Sequence, residues 1–270
     1  MVELEQEAKK KIKIYMGVCS TGDRVDGQNY FMRRMERQYG DRIEFVYPDV
    51  FVGRIFHDHA RNAYVKQFLD TDCDLIWFLD SDIVPSERLL DLVTVHGSKW
   101  DMAGAPYAVW MSQAGDYPGP QLTYTVYREV NGALCPASIP ETGIDFVEGI
   151  ATGCIFIKRH VIEKMVKPYF EFKYHPETRE IIEGEDLGFC IKANKLGFKF
   201  FVDFSMLCHH YKKVDMLDVS NFLEYQRNQI IDNCDREIRR IVAKKQLERL
   251  NKPKQSIIEQ PKSRLILPNN

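Results

Sequence analysis

The sequence predicts an α/β protein: a mixed, mostly parallel sheet flanked by helices, with a helical extension at the C-terminus. The first observation is that strand-like and helix-like segments alternate through residues 13–95, which is typical of a parallel sheet covered by helices. The second is that apolar residues keep helical spacing from residue 219 to residue 241 with no strand between them. Such a run predicts one long helix that follows the sheet.

Three strands and three helices are predicted in the first part of the chain. Aliphatic runs or apolar alternation mark the strands, whereas helical spacing, closed by Gly40 or opened by Pro85, marks the helices. The strands are expected over residues 13–20, 42–50 and 74–79, and the helices over residues 26–39, 57–69 and 85–95.

The second half of the chain is less regular. A hairpin arm over residues 121–130 is expected to turn at Asn131-Gly132, a pair that favours tight hairpin turns. Helices are predicted over residues 159–166 and 184–196. A strand over residues 198–207 is expected to end just before Cys208-His209-His210.

The composition is that of an ordinary soluble globular protein. Of the 270 residues, 44% are hydrophobic and 28% are charged, and the formal net charge of -2 gives no global signature of nucleic-acid binding. One stretch differs, because residues 236–254 contain eight Lys or Arg and two Glu. This basic stretch is expected either to be a solvated helix face or to meet an anionic partner.

The cysteine pattern and the absence of long apolar runs indicate the compartment of the cell in which the protein is expected. The seven cysteines contain no CxxC pair, which excludes the usual zinc and dithiol motifs. Scattered thiols are typical of a reducing cytosol. The N-terminal residues lack the apolar core of a signal peptide, and no apolar run approaches the roughly 18 residues that span a bilayer. A cytoplasmic protein is therefore expected.

The strongest local signal is Asp80-Ser81-Asp82, which follows the apolar run LIWFL. Two carboxylates one residue apart at the end of a buried strand can face a cation in the crevice there. Hard divalent cations take oxygen ligands, and a bound diphosphate can supply the rest of the shell. The motif therefore predicts a site for Mn²⁺ or Mg²⁺. The alternative is a turn in which the two Asp residues cap the chain.

A second polar group follows the last predicted strand. Histidine is a natural further ligand for Mn²⁺-like metals. Strand alternation sends neighbouring residues to opposite faces, so only one of His209 and His210 can point into the site. His209 is expected to be that ligand. Lys212 and Lys213 come next and can neutralise a leaving phosphate. The alternative is a structural histidine followed by solvated lysines.

The third element is Gly184-Glu185-Asp186, which opens a predicted helix. Acidic residues in a first helical turn are favoured by the helix dipole, so capping is one interpretation. In the other, one carboxylate faces an acceptor hydroxyl and removes its proton. These residues alone leave both interpretations open.

The order of the three motifs resembles that of the nucleotide-diphospho-sugar transferases of the GT-A fold, especially the family-2-like enzymes of bacteria and their phages. The matching stretches are ARNAYVKQFLDTDCDLIWFLDSDIVP, DFVEGIATGCIFIKRHVI and GEDLGFCIKANKLGFKFFVDFSMLCHH. The resemblance implies a Rossmann-like sheet with the DxD motif at its centre. We expect a tail over residues 1–12, a catalytic domain over 13–215, an amphipathic basic helix over 216–253 and a loose tail over 254–270. Within the catalytic domain, residues 13–100 are expected to form the nucleotide-binding half and residues 101–215 the acceptor half.

The resemblance also implies roles for single residues. Asp80 and Asp82 look like the DxD motif, with Asp82 the more direct ligand, and His209 looks like the histidine that completes the metal site. Asp186 looks like the catalytic base of inverting members, and Glu185 is expected to hold a sugar. Contacts to the nucleotide and its sugar are expected from Ser20, Thr21, Asp49, Arg61, Asn62, Ser81, Gly149, Thr152, Gly153 and Lys212.

The predicted function is transfer of a sugar from a nucleotide-diphosphate sugar, with UDP-sugars favoured, to an acceptor hydroxyl. Inversion is favoured, and retention stays open because the ED pair and a metal-site histidine also occur in retaining members of the family. The alternatives are a sugar-phosphate nucleotidyltransferase and a nucleotide-sugar binding module without catalysis. The expected acceptor is a glycan, a lipid-linked sugar or a modified DNA base, and a phage enzyme would work in the host cytoplasm. The basic helix is expected to meet DNA, an anionic membrane surface or another subunit of a homo-oligomer.

Overall fold

The computed structural model describes residues 10–20, 25–50, 52, 56–111, 119, 121–137 and 143–250. The chain divides into two units, Met1–Asp215 and Met216–Asn270. The helices of the first unit are α1 (Asp26–Tyr39), α2 (His57–Leu69), α3 (Asp91–Thr94), α4 (Arg159–Lys164) and α5 (Glu185–Lys195). Its strands are β1 (Ile12–Gly17), β2 (Ile43–Val46), β3 (Leu75–Leu79), β4 (Ile83–Val84), β5 (Met102–Gly104), β6 (Ala108–Met111), β7 (Gln121–Tyr124), β8 (Val126–Val130), β9 (Ala133–Pro136), β10 (Ile144–Val147), β11 (Gly149–Ile150), β12 (Cys154–Lys158), β13 (Lys173–Tyr174), β14 (Ile181–Glu183), β15 (Phe200–Asp203) and β16 (His209–His210).

The central sheet has seven strands in the order β10-β15-β5-β12-β3-β1-β2. Strands β2, β1 and β3 pair in parallel, as do β15 and β5. Strand β12 is antiparallel to both β3 and β5, and β10 is antiparallel to β15. Five of the seven strands therefore run in one direction. The mixed, mostly parallel sheet flanked by helices that the sequence predicts is confirmed.

Strand β3 lies inside this sheet, and all five of its residues are buried. Ile76 and Phe78 point to one face and belong to an apolar cluster with Tyr64 of α2. Trp77 points to the other face and belongs to a second cluster with Phe31 of α1. A strand covered on both faces reads as a continuous apolar run rather than an alternating one. This packing holds the end of β3, where the DxD motif begins, in a fixed place.

The predicted helix over residues 85–95 is wrong for most of its length, because only Asp91–Thr94 is helical. The preceding residues form tight turns, in which the N–H of Leu89 donates to the oxygen of Ser86 at 3.0 Å. Leu89 and the adjacent Leu90 are both fully buried. The apolar residues of this stretch predict its burial correctly, but a short buried run does not by itself distinguish a helix from a series of turns.

The hairpin turn predicted at Asn131-Gly132 is confirmed. Strands β8 and β9 pair antiparallel around it, with φ angles of 53° at Asn131 and 82° at Gly132. The arm expected over residues 121–130 is instead two strands, since β7 pairs with β6 and β8 pairs with β9 and β11. The break is at the buried Thr125, whose N–H and hydroxyl both donate to the oxygen of Tyr107 at 3.1 Å.

The second unit is described by one helix, α6 (Met216–Leu250). The C-terminal helical extension predicted from the sequence is therefore present, and residues 251–253 of the predicted helix lie outside the described residues. None of the helices in the described part of the chain combines the length and the apolar character that crossing a membrane requires.

Candidate functional site

Asp80 begins the turn after β3, and hydrogen bonds hold that turn from two sides. The N–H of Asp80 donates to the oxygen of Gly153 at 2.9 Å. From α1, the side-chain amide of Gln28 donates to the oxygens of Asp80 and Ile83 at 2.8 and 3.0 Å. Gln28 is almost fully buried. No sequence signal marks it, since a single polar residue in a helix is ordinarily a surface residue.

Arg61 of α2 joins the two acidic motifs. It donates from Nη1 to a carboxylate oxygen of Glu185 and from Nη2 to both carboxylate oxygens of Asp80 at 3.3 Å. The Arg61 side chain is 3% exposed, against 16% for Asp80 and 10% for Glu185. Burial disfavours the charge on Arg61, but the neighbouring carboxylates outweigh burial and raise its pKa above the ordinary value. A charged guanidinium therefore links two motifs that are far apart in the sequence.

Asp186 follows Glu185 in the first turn of α5 and is half-buried. Burial, and then the negative charge of Glu185, raise the pKa of Asp186 above its ordinary value, although Arg61 opposes them. Its Oδ1 accepts the N–H of Leu187 at 2.8 Å. The carboxylate therefore makes a helix-start contact and also has the raised pKa that suits a proton acceptor.

Asp82 contacts the segment that contains β16. Its Oδ2 is 3.5 Å from Nε2 of His210 and accepts a hydrogen bond from Nζ of Lys212. Its backbone oxygen accepts the N–H of Tyr211 at 2.9 Å. Burial opposes ionisation of Asp82, but the hydrogen bonds from His210 and Lys212 outweigh it and lower the pKa of Asp82 to about 2. Asp82 is therefore an anion at neutral pH.

The structure places the two histidines on the opposite faces from those expected. His210 directs Nε2 towards Asp82, while its Nδ1 lies 2.7 Å from the oxygen of Ala108. His209 is exposed and lines a surface cavity of about 450 Å³ beside α1. Neighbouring strand residues do face opposite ways, as the alternation argument assumed. The pairing of β16 with β4 decides which of the two histidines faces the site, and it brings His210, not His209, next to Asp82.

This arrangement makes a prediction that separates the two histidines. His210→Ala is expected to weaken Mn²⁺ binding about tenfold or more, because it removes a nitrogen donor beside Asp82. His209→Ala should leave the affinity within about twofold of the wild type, since its ring faces away. Titration with Mn²⁺ followed by electron paramagnetic resonance measures both. Equal losses in the two variants would contradict this placement.

Tyr107 contacts the site from a third direction. It is buried, its Oη accepts the N–H of Gly153 at 3.2 Å, and its ring lies 5.1 Å from that of His210. Burial, and then the charges of Asp80 and Asp186, raise the pKa of Tyr107 well above its ordinary value. A Cβ at Gly153 would lie 2.4 Å from that Oη, so the close approach requires glycine. No motif in the sequence indicates Tyr107.

The small-residue segment EGIATG serves both packing and the site. A Cβ at Gly149 would lie 3.4 Å from Cys190, an ordinary contact distance, so Gly149 packs against α5 without a close approach that requires glycine. Thr152 is 1% exposed, and its hydroxyl has no hydrogen-bond partner among the described residues. Thr152 directly precedes Gly153, whose oxygen accepts the N–H of Asp80. A buried hydroxyl therefore lies next to the DxD turn.

Ser20 and Ser81 lie where β1 and β3 end beside one another. The hydroxyl of Ser81 donates to that of Ser20 at 3.1 Å, and the N–H of Ser81 donates to the oxygen of Cys19 at 2.9 Å. Ser81 is buried, whereas Ser20 is half-buried. The structure therefore brings Ser20 to the DxD turn, as expected for residues that follow adjacent parallel strands.

Two other expected contact residues, Asn62 and Asp49, make no hydrogen bond or ion pair to this cluster among the described residues. Asn62 donates its amide to the oxygen of Phe170 at 2.6 Å and accepts the N–H of Tyr169 at 3.0 Å. Its side chain therefore fixes this backbone segment, and the expected nucleotide contact of Asn62 stays a prediction. Adjacent helix residues point about 100° apart, and here Arg61 turns towards Asp80 while Asn62 turns towards Phe170. Asp49 is exposed after β2, and Thr21 lies outside the described residues.

The donor atoms at the DxD turn can be compared with the needs of a divalent cation. Within the described part of the chain, no group of three or more His, Cys, Asp or Glu side chains is arranged to hold a metal ion. Asp82 and His210 provide an oxygen and a nitrogen donor 3.5 Å apart, and Asp80 opens the same turn. Mg²⁺ is commonly held by one or two carboxylates together with substrate phosphates and water. The described side chains are therefore too few to hold a cation alone, and a bound diphosphate or water would have to complete its shell.

Comparisons with solved structures find similar folds at low sequence identity. No protein-family model and no curated protein matches the sequence. The fold is similar to that of A197 from STIV, with 21% identity and a TM-score of 0.49 over 75% of this chain and 86% of that chain. It is also similar to GalNAc-T7, solved with UDP, GalNAc and Mn²⁺, with 9% identity and a TM-score of 0.42 over 76% of this chain and 44% of that chain. Similarity at this level assigns neither an activity nor a ligand to this chain.

Proposed function

We propose that this protein is a metal-dependent GT-A glycosyltransferase that moves a sugar from a nucleotide-diphosphate sugar, with a UDP-sugar the favoured donor, to an acceptor hydroxyl. The observation that carries this proposal is the buried Arg61, which contacts both Asp80 and Glu185. Asp80 belongs to the motif suited to hold a metal-bound diphosphate, and Glu185 belongs to the motif suited to remove a proton. Arg61 therefore connects the two motifs. A transfer reaction needs both groups in one site.

The donor diphosphate would bind at the turn after β3. Asp80, Asp82 and His210 would hold Mn²⁺ or Mg²⁺, which supplies positive charge against the phosphates when bound. Lys212 contacts Asp82, and its side chain is 51% exposed, so it can exchange this carboxylate for a phosphate oxygen. A lysine in this place stabilises the charge that develops on the leaving diphosphate.

The acceptor hydroxyl would lose its proton to Asp186. A carboxylate with a raised pKa accepts a proton more readily than an ordinary one, which suits a general base. The acceptor oxygen would attack the anomeric carbon from the face opposite the leaving diphosphate, and this would invert the anomeric centre. Glu185 is bonded to Arg61, so we assign it to positioning that guanidinium rather than to a sugar.

The remaining contacts follow from the ends of the strands. Ser20 and Thr21 would contact the nucleotide, and Asp49 would lie beside the nucleobase. Thr152 would donate its hydroxyl to the donor sugar, because a buried hydroxyl without a partner costs free energy that a ligand can remove. Residues 13–100 would then bind the nucleotide and residues 101–215 the acceptor.

Donor hydrolysis tests this proposal without a known acceptor. In Mn²⁺, the wild type is expected to release nucleoside diphosphate slowly from one of the UDP-, GDP- or dTDP-sugars. Asp82→Asn should lower this rate about a hundredfold or more, because an amide lacks the negative charge that the cation requires. The matched control is Asp72→Asn, which changes a carboxylate that is 77% exposed and pairs with Lys13. Its rate should equal that of the wild type.

Three results would contradict the proposal. Wild-type hydrolysis by Asp82→Asn would remove the metal assignment. Release of pyrophosphate from a nucleoside triphosphate and a sugar phosphate would indicate a nucleotidyltransferase. Tight donor binding with no turnover in any of these assays would indicate a binding module.

A further inference from the structure

Helix α6 carries an apolar stripe that is exposed to solvent. Leu223, Ile230 and Ile241 are 61%, 62% and 47% exposed, and Cys234 is an exposed free thiol. These residues alternate between spacings of four and seven along the helix, so they share the a and d positions of a heptad repeat. Exposed apolar side chains at this spacing are typical of a surface that another helix covers.

Two charged residues interrupt the stripe and decide which helix fits it. Arg227 occupies an a position and Glu237 a d position of the same heptads. In a parallel pair of identical helices, each residue faces its own copy, so Arg227 would meet Arg227 and Glu237 would meet Glu237. In an antiparallel pair, a positions face d positions, and Arg227 of one copy meets Glu237 of the other. Like charges opposite one another disfavour the parallel pair.

Both residues remain available for such a contact. Arg227 lies 3.9 Å from Glu224, and Glu237 lies 3.8 Å from Arg240, within the same helix. All four side chains are at least 60% exposed. Exposed pairs of this kind contribute little free energy, so a partner helix can replace or join them.

The antiparallel register also matches the other residues along the stripe. It brings apolar residues together in the centre and opposite charges together at the edge. At the a and d positions the facing pairs are Leu223 with Ile241 and Ile230 with Cys234. At the flanking e positions, five residues out of level, Ile231 lies towards Ile238 and Glu224 towards Lys245.

The charge of α6 is divided between its two halves. Residues 216–235 contain four acidic residues and one basic residue, a net charge of -3, whereas residues 236–250 contain six basic and two acidic residues, a net charge of +4. An antiparallel pair lays the negative half of each copy on the positive half of the other. Such a contact is self-complementary about a twofold axis and closes as a dimer.

We infer that α6 is a dimerisation helix that pairs antiparallel with α6 of a second copy of this chain. An anionic membrane or DNA would engage only the basic half and would leave the acidic half and its share of the stripe without a partner. The second copy accounts for the stripe, for the charges that interrupt it and for the charge division together.

Positional cross-linking tests the orientation in the full chain. In a Cys234→Ser background, Leu223→Cys and Ile241→Cys chains are oxidised separately and as a mixture. A disulfide-linked dimer is expected in the mixture alone, because two copies of position 223 lie about 27 Å apart in the antiparallel pair. Arg239→Cys, on the outward side, controls for random collision. A dimer in Leu223→Cys alone would establish a parallel pair and overturn the inference.

A charge exchange tests the same contact by sedimentation equilibrium. Arg227→Glu should raise the dimer Kd on the order of tenfold, since glutamates then face one another twice. Arg227→Glu/Glu237→Arg should restore the wild-type Kd, and Arg239→Glu, an outward-facing control, should not change it. A wild-type chain that stays monomeric at every concentration overturns the inference, including one that binds phosphatidylserine/phosphatidylcholine vesicles or duplex DNA.

Discussion

Replacing Arg61 with methionine is expected to lower the thermal unfolding midpoint of the unit containing the sheet by about 6–12 °C. The substitution leaves Asp80 and Glu185 close together and largely buried without their shared cation. Removing one partner of a buried ion pair costs about 3–5 kcal/mol, and partial exposure of the carboxylates favours the lower value. A unit of this size loses about 2–4 °C per kcal/mol. Circular dichroism during heating measures the shift.

Two further variants test whether charge is the cause. Arg61→Met/Asp80→Asn/Glu185→Gln removes the carboxylates together with the guanidinium and should recover most of the lost stability. Arg61→Lys should lie between the wild type and Arg61→Met, because an ammonium lacks the fork that contacts two carboxylates. An unchanged midpoint in Arg61→Met would show that the three side chains do not form a buried network.

Asp186→Asn is expected to reduce sugar transfer about 10²–10⁴-fold while donor affinity stays near that of the wild type. The amide keeps the shape of the carboxylate and can still accept the N–H of Leu187, but it cannot accept the acceptor's proton. Calorimetry with the donor and a turnover assay with an acceptor measure the two quantities separately. If Asp186 only capped α5, the asparagine would cap the helix equally well, and both transfer and donor affinity would stay near those of the wild type.

The dependence of transfer on pH gives an independent readout of the same residue. Only the ionised carboxylate accepts a proton, so kcat/KM of the wild type should fall as the pH drops through the pKa of Asp186. Burial and Glu185 raise that pKa, so this fall should begin at a higher pH than for an ordinary aspartate. The residual activity of Asp186→Asn should not show this fall of kcat/KM at low pH. Near-normal transfer by a folded Asp186→Asn protein, or retention at the anomeric carbon, would remove Asp186 as the base.

The sequence by itself determined the class of the fold and the places where chemistry begins. The run from Leu75 to Leu79 is apolar throughout because both of its faces are covered, and this pattern is local. The Asn131-Gly132 turn is equally local, since it needs two residues with positive φ. The acidic motifs follow such elements directly, so their positions at the end of β3 and the start of α5 could be predicted.

Tertiary structure decided which side chains meet. Pairing of β16 with β4 turned His210 towards Asp82, and the packing of α2 turned Arg61 inwards and Asn62 towards Phe170. Gln28 and Tyr107 complete the site from elements whose patterns indicate only a helix and a segment between strands. Periodicity states that one face of an element is buried, but the phase of a short strand depends on its partner. Contacts between residues far apart in the chain arise from that packing, so no local pattern contains them.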